Sequence, residues 1–466
     1  MRDLAVLQRV IGGEVIAGDS AAYRRLPGPF NARFDQVVPE AVVRCASAED
    51  VVETVSFVRR HGLQAAIRGG GHCFAGRSVV RGIVIDLSSM SRVLVSGGVA
   101  DVGAGARLGE VYLGLAGAGL TIPGGSCPSV GVAGLTLGGG LGMLGRSYGL
   151  TCDHLLAAQI VLADGRVVRC DDHHEPELFW ALRGAGAGNF GAVTELVFRP
   201  VPTPAVTVFS LAWPFAQAAA VTRAWLGWAG SAADQIAASL ILAVGPDPAQ
   251  PPTVELFGTM LGGQADAVGL LGQLTGQVPG APASSLAREM TYLDALRHWA
   301  ARSGQRLEDP RASPAGRSCH FIRSEFFTRP LPDQAVDRLL GHLAGSRRAG
   351  QSRELDFTPW GGAYSRADPR ATAFPHREPR YLLKHSAAVP AGAPPAEQTA
   401  AQRWATGSWQ QPRRWGTGQV FPNFADPDLA GWARAYYGPS YQRLLSVKAR
   451  YDPDSVFGAR QSLPAR

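Results

Sequence analysis

The apolar pattern of this chain changes texture after Pro200-Val201-Pro202-Thr203-Pro204. Before it, Val51, Val52, Val55 and Val58 recur at helical spacing. Ser47 can cap that helix, Asp50 suits its first turn, and the run ends near Gly62. Short apolar runs at 64–67, 82–87 and 99–103 predict buried strands, and 107–118 predicts a helix. The stretch 159–168 turns on Asp164-Gly165 and reads as a hairpin. After the proline-rich stretch, strand-like runs at 206–212, 253–260, 320–327 and 380–386 alternate with alanine-rich helical segments. That alternation predicts an antiparallel sheet with helices on one face. The fold class expected is therefore α+β, with no internal repeat.

Composition narrows the class. With 466 residues, 46% hydrophobic and 18% charged, the chain can bury a large core over two or three domains. The net charge is +7, yet lysine occurs only at Lys384 and Lys448, and Arg24-Arg25 and Arg347-Arg348 are isolated pairs. A charge so dilute argues for neither nucleic acid nor a membrane surface. Six cysteines without a Cys-x-x-Cys pair make a structural zinc site unexpected, and no metal is expected. Met1-Arg2-Asp3-Leu4 soon meets Arg9 and Glu14, so no signal-peptide core forms, and no apolar run is long enough for a span. The expectation is a cytoplasmic protein.

The chemistry concentrates in two glycine-rich loops. Arg68-Gly69-Gly70-Gly71-His72-Cys73 presents an imidazole and Gly124-Gly125-Ser126-Cys127-Pro128-Ser129-Val130-Gly131 a thiol. Consecutive glycines let backbone N–H groups approach a phosphate that a Cβ would obstruct. The glycines lack Gly-x-Gly-x-x-Gly spacing, which excludes a nicotinamide-type Rossmann unit. Read as isolated residues, His72 could be a satisfied core histidine and Cys127 an inert buried thiol.

Further motifs follow in order: Gly138-Gly139-Gly140-Leu141-Gly142 with Arg146-Ser147-Tyr148-Gly149-Leu150, then Trp180-Ala181-Leu182-Arg183 leading to Gly188-Asn189-Phe190-Gly191. Tyr436-Tyr437-Gly438, Val447-Lys448, Tyr451-Asp452-Pro453 and Gln461-Ser462-Leu463-Pro464 close the series. Together these motifs resemble the berberine bridge enzyme-like branch of the vanillyl-alcohol oxidase family, over nearly the whole chain. The resemblance implies a PCMH-type, two-subdomain FAD-binding domain over 1–204, a substrate-binding domain over 205–415, and a tail, 416–466, returning to the FAD domain. It implies FAD attached through His72 at the 8α carbon and through Cys127 at C6. It implies cofactor contacts from Arg68, Gly69, Gly70, Gly71, Cys73, Gly76, Pro123, Gly124, Val130, Gly131, Gly134, Gly139, Gly142, Val193 and Asn423.

The implied activity is oxidation of a small molecule, a bulky secondary metabolite or glycosylated natural product, with hydride passing to flavin N5 and electrons to O₂. A monomer or homodimer is expected. The family's base is a tyrosine in a Tyr-x-Asn-[Tyr/Phe] motif, and the matching stretch here begins with Phe421 in Phe421-Pro422-Asn423-Phe424. A phenyl ring cannot take a proton. Tyr148, Tyr364, Glu325, Asp356 and His320 are the alternatives. A flavoprotein that binds a natural product for resistance or transport, and an oxidative cyclisation without a tyrosine base, remain open at this point. His173-His174 reads as a solvated loop beside Asp171-Asp172.

Overall fold

Four sheets and two large apolar cores make up the computed structural model, which describes residues 4–312, 316–458 and 460–465. Of the opening Met1-Arg2-Asp3-Leu4, only Leu4 is among the described residues. The helix expected after Ser47 spans Ala48–Arg60, with the Ser47 hydroxyl accepting from the Asp50 amide at 3.3 Å. Its Val51, Val55 and Val58 are fully buried, while Val52 is only half-buried. A four-stranded sheet follows the order Glu14–Ala17, Ala41–Arg44, Ile83–Asp86, Ala65–Arg68. The last three strands run parallel, and Ala65–Arg68 ends directly on the first glycine loop.

A second, five-stranded antiparallel sheet has the order Val93–Ser96, Val99–Gly103, Gly191–Phe198, Leu155–Leu162, Val167–Asp171. Its last pair is the hairpin expected at Asp164-Gly165. The proline-rich stretch is no free linker. Val201–Pro202 pairs with Leu120–Thr121 as a two-stranded ribbon, which ties the start of the second region to the first.

The seven-stranded antiparallel sheet has the order Ser284–Thr291, Ala205–Pro214, Thr253–Leu261, Ile236–Val244, Ser352–Pro359, Tyr381–Pro390, Ser318–Phe327. One face is apolar. It packs against helices Ala218–Trp228, Gln264–Thr275, Asp333–Ala344 and Pro395–Gln410 to form the second core. Alternation supplies this: along Ser352–Pro359, Arg353, Leu355 and Phe357 are buried while Ser352, Glu354, Asp356 and Thr358 are half-buried. The helix Tyr292–Arg302 lies on the opposite face, with the Trp299 indole donating to the Thr259 hydroxyl at 3.2 Å. Tail residues Val420, Tyr436, Leu444, Tyr451 and Leu463 join the first core, beside Phe190 and Val193.

Candidate flavin cavity and its roof

The two glycine-rich loops meet backbone to backbone. A Cβ on Gly70 would stand 2.2 Å from the Gly131 nitrogen, and one on Gly131 would stand 2.3 Å from the Gly70 nitrogen. Only glycine permits this approach. Arg107 fastens the junction, its Nη1 donating to the carbonyls of Gly70 at 2.6 Å and Ser129 at 2.5 Å. The result is one cavity of about 380 Å³ with His72 and Cys127 both on its wall.

Of the expected cofactor contacts, Gly69, Gly70, Gly71, His72, Cys73, Cys127, Val130, Gly131, Gly134, Val193 and Asn423 line this cavity. Others stand behind it. Arg68 donates from Nε to the Ser78 carbonyl at 3.2 Å. Gly76 lies against the Phe34 ring, and the Pro123 carbonyl accepts from the Thr151 hydroxyl. A Cβ on Gly142 would stand 1.9 Å from the Gly124 carbonyl oxygen, and Gly139 lies against Phe374. These six residues do not line the cavity.

The cavity suits a cofactor that brings polar atoms. The Ser78 hydroxyl and the Arg77 Nε, both from cavity-lining residues, have no hydrogen-bond partner among the described residues. Buried polar atoms left this way cost free energy until a ligand pairs them. A pyrophosphate-bearing flavin offers acceptors for both. Neither Arg77 nor Ser78 was anticipated, because a single Arg-Ser pair carries no spacing signal.

His72 stacks on Phe30 with ring centroids 4.5 Å apart, and Phe30 stacks on His320 at 4.9 Å. Burial, with the nearby charge of Arg107 and the His320 ring, pushes the His72 imidazole down to about 3. It is therefore neutral at physiological pH, the form in which a ring nitrogen is nucleophilic. His320 is likewise pushed down to about 4 by burial and by Lys384.

The sheet forms a polar roof. Lys384 bonds Glu354 at 3.1 Å and Asp356 at 3.0 Å, with its ammonium 5.2 Å from the centroid of Phe424, a cavity-lining ring. Burial opposes that charge, but the two carboxylates outweigh it and hold the ammonium above its usual range. His320, through Phe30, and Lys384, through Phe424, are thus roof groups beside cavity-lining rings, with Glu354 and Asp356 paired to Lys384. Lys384 was missed as a site residue because its role depends on strand register.

The candidate bases read from sequence are dispersed. Tyr148 packs against the first core, and its carbonyl accepts from His154. The Tyr364 hydroxyl donates to the Gly142 carbonyl at 3.1 Å, and its ring stacks on Trp360. Phe421 is 1% exposed and belongs with Tyr364, Trp360, Phe326 and Phe374 to a separate aromatic cluster. The wall at that point is made instead by Pro422, Asn423 and Phe424. Glu325 is fully buried and accepts from the Gly418 amide at 2.5 Å and the Trp409 indole at 3.2 Å. Burial pushes it up to about 7. It anchors the strand-like segment that leads into Phe421. His173 and His174 stand in an exposed loop, donating their amides to Asp171. Among the described residues, no helix is long and apolar enough to cross a membrane.

Comparison with known proteins agrees with this geometry. Residues 39–171 match the FAD binding domain family and residues 420–464 the berberine and berberine-like family. The uncharacterized FAD-linked oxidoreductase YgaK of Bacillus subtilis is 30% identical over 465 residues, covering 97% of each chain. The structure of Physcomitrella patens BBE-like 1 superposes with a TM-score of 0.90, at 26% identity over 99% of each chain. The glucooligosaccharide oxidase of Acremonium strictum, which carries a 6-S-cysteinyl, 8α-N1-histidyl FAD, shares the fold at a TM-score of 0.88. Its identity is 24%, over 99% of each chain.

Proposed function

Because this chain belongs to the berberine bridge enzyme-like family of FAD-linked oxidoreductases, we propose that it oxidises a bulky natural product, with dioxygen as the final acceptor. In this reading residues 1–204 and 416–466 hold FAD, and 205–415 supply the substrate side. The observation that carries it is the single cavity bearing both His72 and Cys127. Bound there, FAD supplies the two-electron acceptor. His72, neutral through burial, provides the nitrogen for the 8α bond, and Cys127 the sulfur for the C6 bond. Gly69, Gly70 and Gly131 let the backbone approach the cofactor, and Ser78 and Arg77 pair its polar atoms. A bulky substrate enters beneath the sheet, where Phe30, Phe74 and Phe424 offer ring faces and Lys384, Glu354, Asp356 and His320 offer polar contacts.

One observation favours a variant of this reading. Among the described residues no tyrosine lines the cavity. In this variant the substrate proton goes to a roof group, His320, which stacks on the cavity-lining Phe30, or Asp356, paired with Lys384, or the reaction is an oxidative cyclisation that needs no phenolate. The test is anaerobic bleaching of the flavin, then oxygen uptake, with a panel of aromatic glycosides, polyketides and simple sugars. Bleaching by a bulky aromatic compound with matching oxygen uptake is expected. Binding without bleaching across the panel would instead support a carrier role.

A further inference from the structure

The Cys127 thiol is held in a closed set of contacts that reaches across the two halves of the molecule. The Gln305 side-chain amide donates to the Cys127 sulfur at 3.4 Å, shorter than the 3.7 Å from that sulfur to the Gln305 carbonyl oxygen. The Ser129 hydroxyl lies 3.4 Å from the same sulfur and donates to the Gln305 carbonyl oxygen at 2.7 Å. Arg107, which binds the Ser129 carbonyl, brings its positive charge to the same corner. N–H donors and a neighbouring cation are what a thiolate nucleophile requires.

Gln305 does not come from the glycine loops. It follows the helix Tyr292–Arg302, in the substrate half, and its amide donates to the Ala300 carbonyl at 2.9 Å. The segment then straps itself to the flavin side. Leu307 is buried, with its carbonyl against Gly109. Arg311 bonds Glu110 at 2.6 Å and the Ser88 carbonyl at 3.0 Å. Docked in this way, the segment sets the Gln305 side-chain amide against the Cys127 sulfur.

We propose that Gln305, with Ser129, is the positioning residue that holds the Cys127 sulfur for bond formation at flavin position 6. The second covalent bond then depends on docking of the substrate half. This rests on the reading that Cys127 bonds the flavin. In the step, the Cys127 thiol loses its proton and its sulfur forms the S–C6 bond. The C6 hydrogen leaves as a proton, and the electron pair that enters the ring is removed by dioxygen. Dioxygen takes up the two protons and leaves as hydrogen peroxide, so atoms and electrons balance.

The test compares full-length wild type, Gln305→Leu, Gln305→Glu and Ser129→Ala. The readout is the share of the Cys127 tryptic peptide carrying flavin at harvest, and its rise on aerobic incubation with FAD across a pH series. Wild type, prepared flavin-free by riboflavin-limited expression, should link completely during the incubation. Gln305→Leu should link about tenfold more slowly, with its pH midpoint moved upward and the His72 bond intact. Gln305→Glu should be slower still, because its carboxylate repels the thiolate. In a His72→Ala background, adding Gln305→Leu should release most flavin on acid precipitation. Wild-type linking rate and pH profile in Gln305→Leu, or in Ser129→Ala if the former misfolds, would overturn the proposal. An unmodified Cys127 in wild type would overturn the flavin-bond reading itself.

Discussion

The flavin cavity and the sheet above it are built by opposite means. The two loops that carry His72 and Cys127 into the cavity are joined through backbone: Gly70 and Gly131 touch, and Arg107 binds two carbonyls. The roof is side chains on a regular antiparallel scaffold, where Ser352, Glu354, Asp356 and Thr358 share a face only because the strand alternates. Cofactor geometry fixes the first. The pleat of the second accepts many side chains at each exposed position, so substrate preference can vary there without disturbing the flavin. The two lysines make the same contrast. Lys448 is fully buried and bonds the Asn189 carbonyl at 2.7 Å, Asp452 at 2.5 Å and the Phe457 carbonyl at 3.1 Å, so each of its three protons has an acceptor. Lys384 is partly exposed and shared between two carboxylates.

The sharpest break in that comparison comes from Gly131→Ala. Its new Cβ meets the Gly70 backbone, which has no flexible end to swing aside. Flavin content, read as the visible-to-ultraviolet absorbance ratio, should fall about tenfold or more. Ser386→Ala, on a half-buried position of the Tyr381–Pro390 strand, should leave it unchanged.

The lysines should separate stability from turnover. Lys448→Met leaves Asp452 buried without its partner and should cost about 3–5 kcal/mol in denaturant unfolding. Lys384→Met should keep its flavin and most of its stability but lose substrate-driven bleaching. Equal stability losses in both would erase the distinction.

The strength of that contrast reflects what a sequence can carry. Glycine loops have a physical signature, since consecutive glycines mark close backbone approach, and both loops were legible from it. So were Ala48–Arg60, Val99–Gly103 and the Asp164-Gly165 hairpin, through cap, apolar run and turn. The strand Ile236–Val244, at the centre of the seven-stranded order, is alanine-rich and was not separable from a helix by pattern. Phe421 was placed by motif position alone. Its burial among Trp360, Phe374 and Phe326 depends on partners drawn from distant strands and loops, which no local pattern reports.

Acid should act on the substrate half through His385. It is fully buried, bonds the Ser408 hydroxyl at 2.8 Å, and burial holds it down at about 3. A histidine kept neutral in the fold contributes stability that is present above the unfolded value near 6.5 and is lost as pH falls toward 3. At pH 5 the loss should be on the order of 2 kcal/mol. A His385→Gln variant should show a shallower fall in unfolding free energy between pH 7 and pH 5. An unchanged slope would remove His385 as the cause.

The smallest effect concerns Phe421→Tyr. If Phe421 stood over the flavin, a hydroxyl there would restore the family's base and raise activity. In its buried cluster the hydroxyl lacks a partner and should cost about 1–2 kcal/mol with no gain in turnover. A rise in sugar oxidation would return Phe421 to the cavity.

The central claim is that one FAD is fastened by both loops. Mass spectrometry of a tryptic digest of the purified, acid-denatured protein tests it most directly. The account predicts one FAD bridging the His72 and Cys127 peptides, with neither peptide recovered free. Free forms of both peptides at full yield, with all flavin in the acid supernatant, would contradict it.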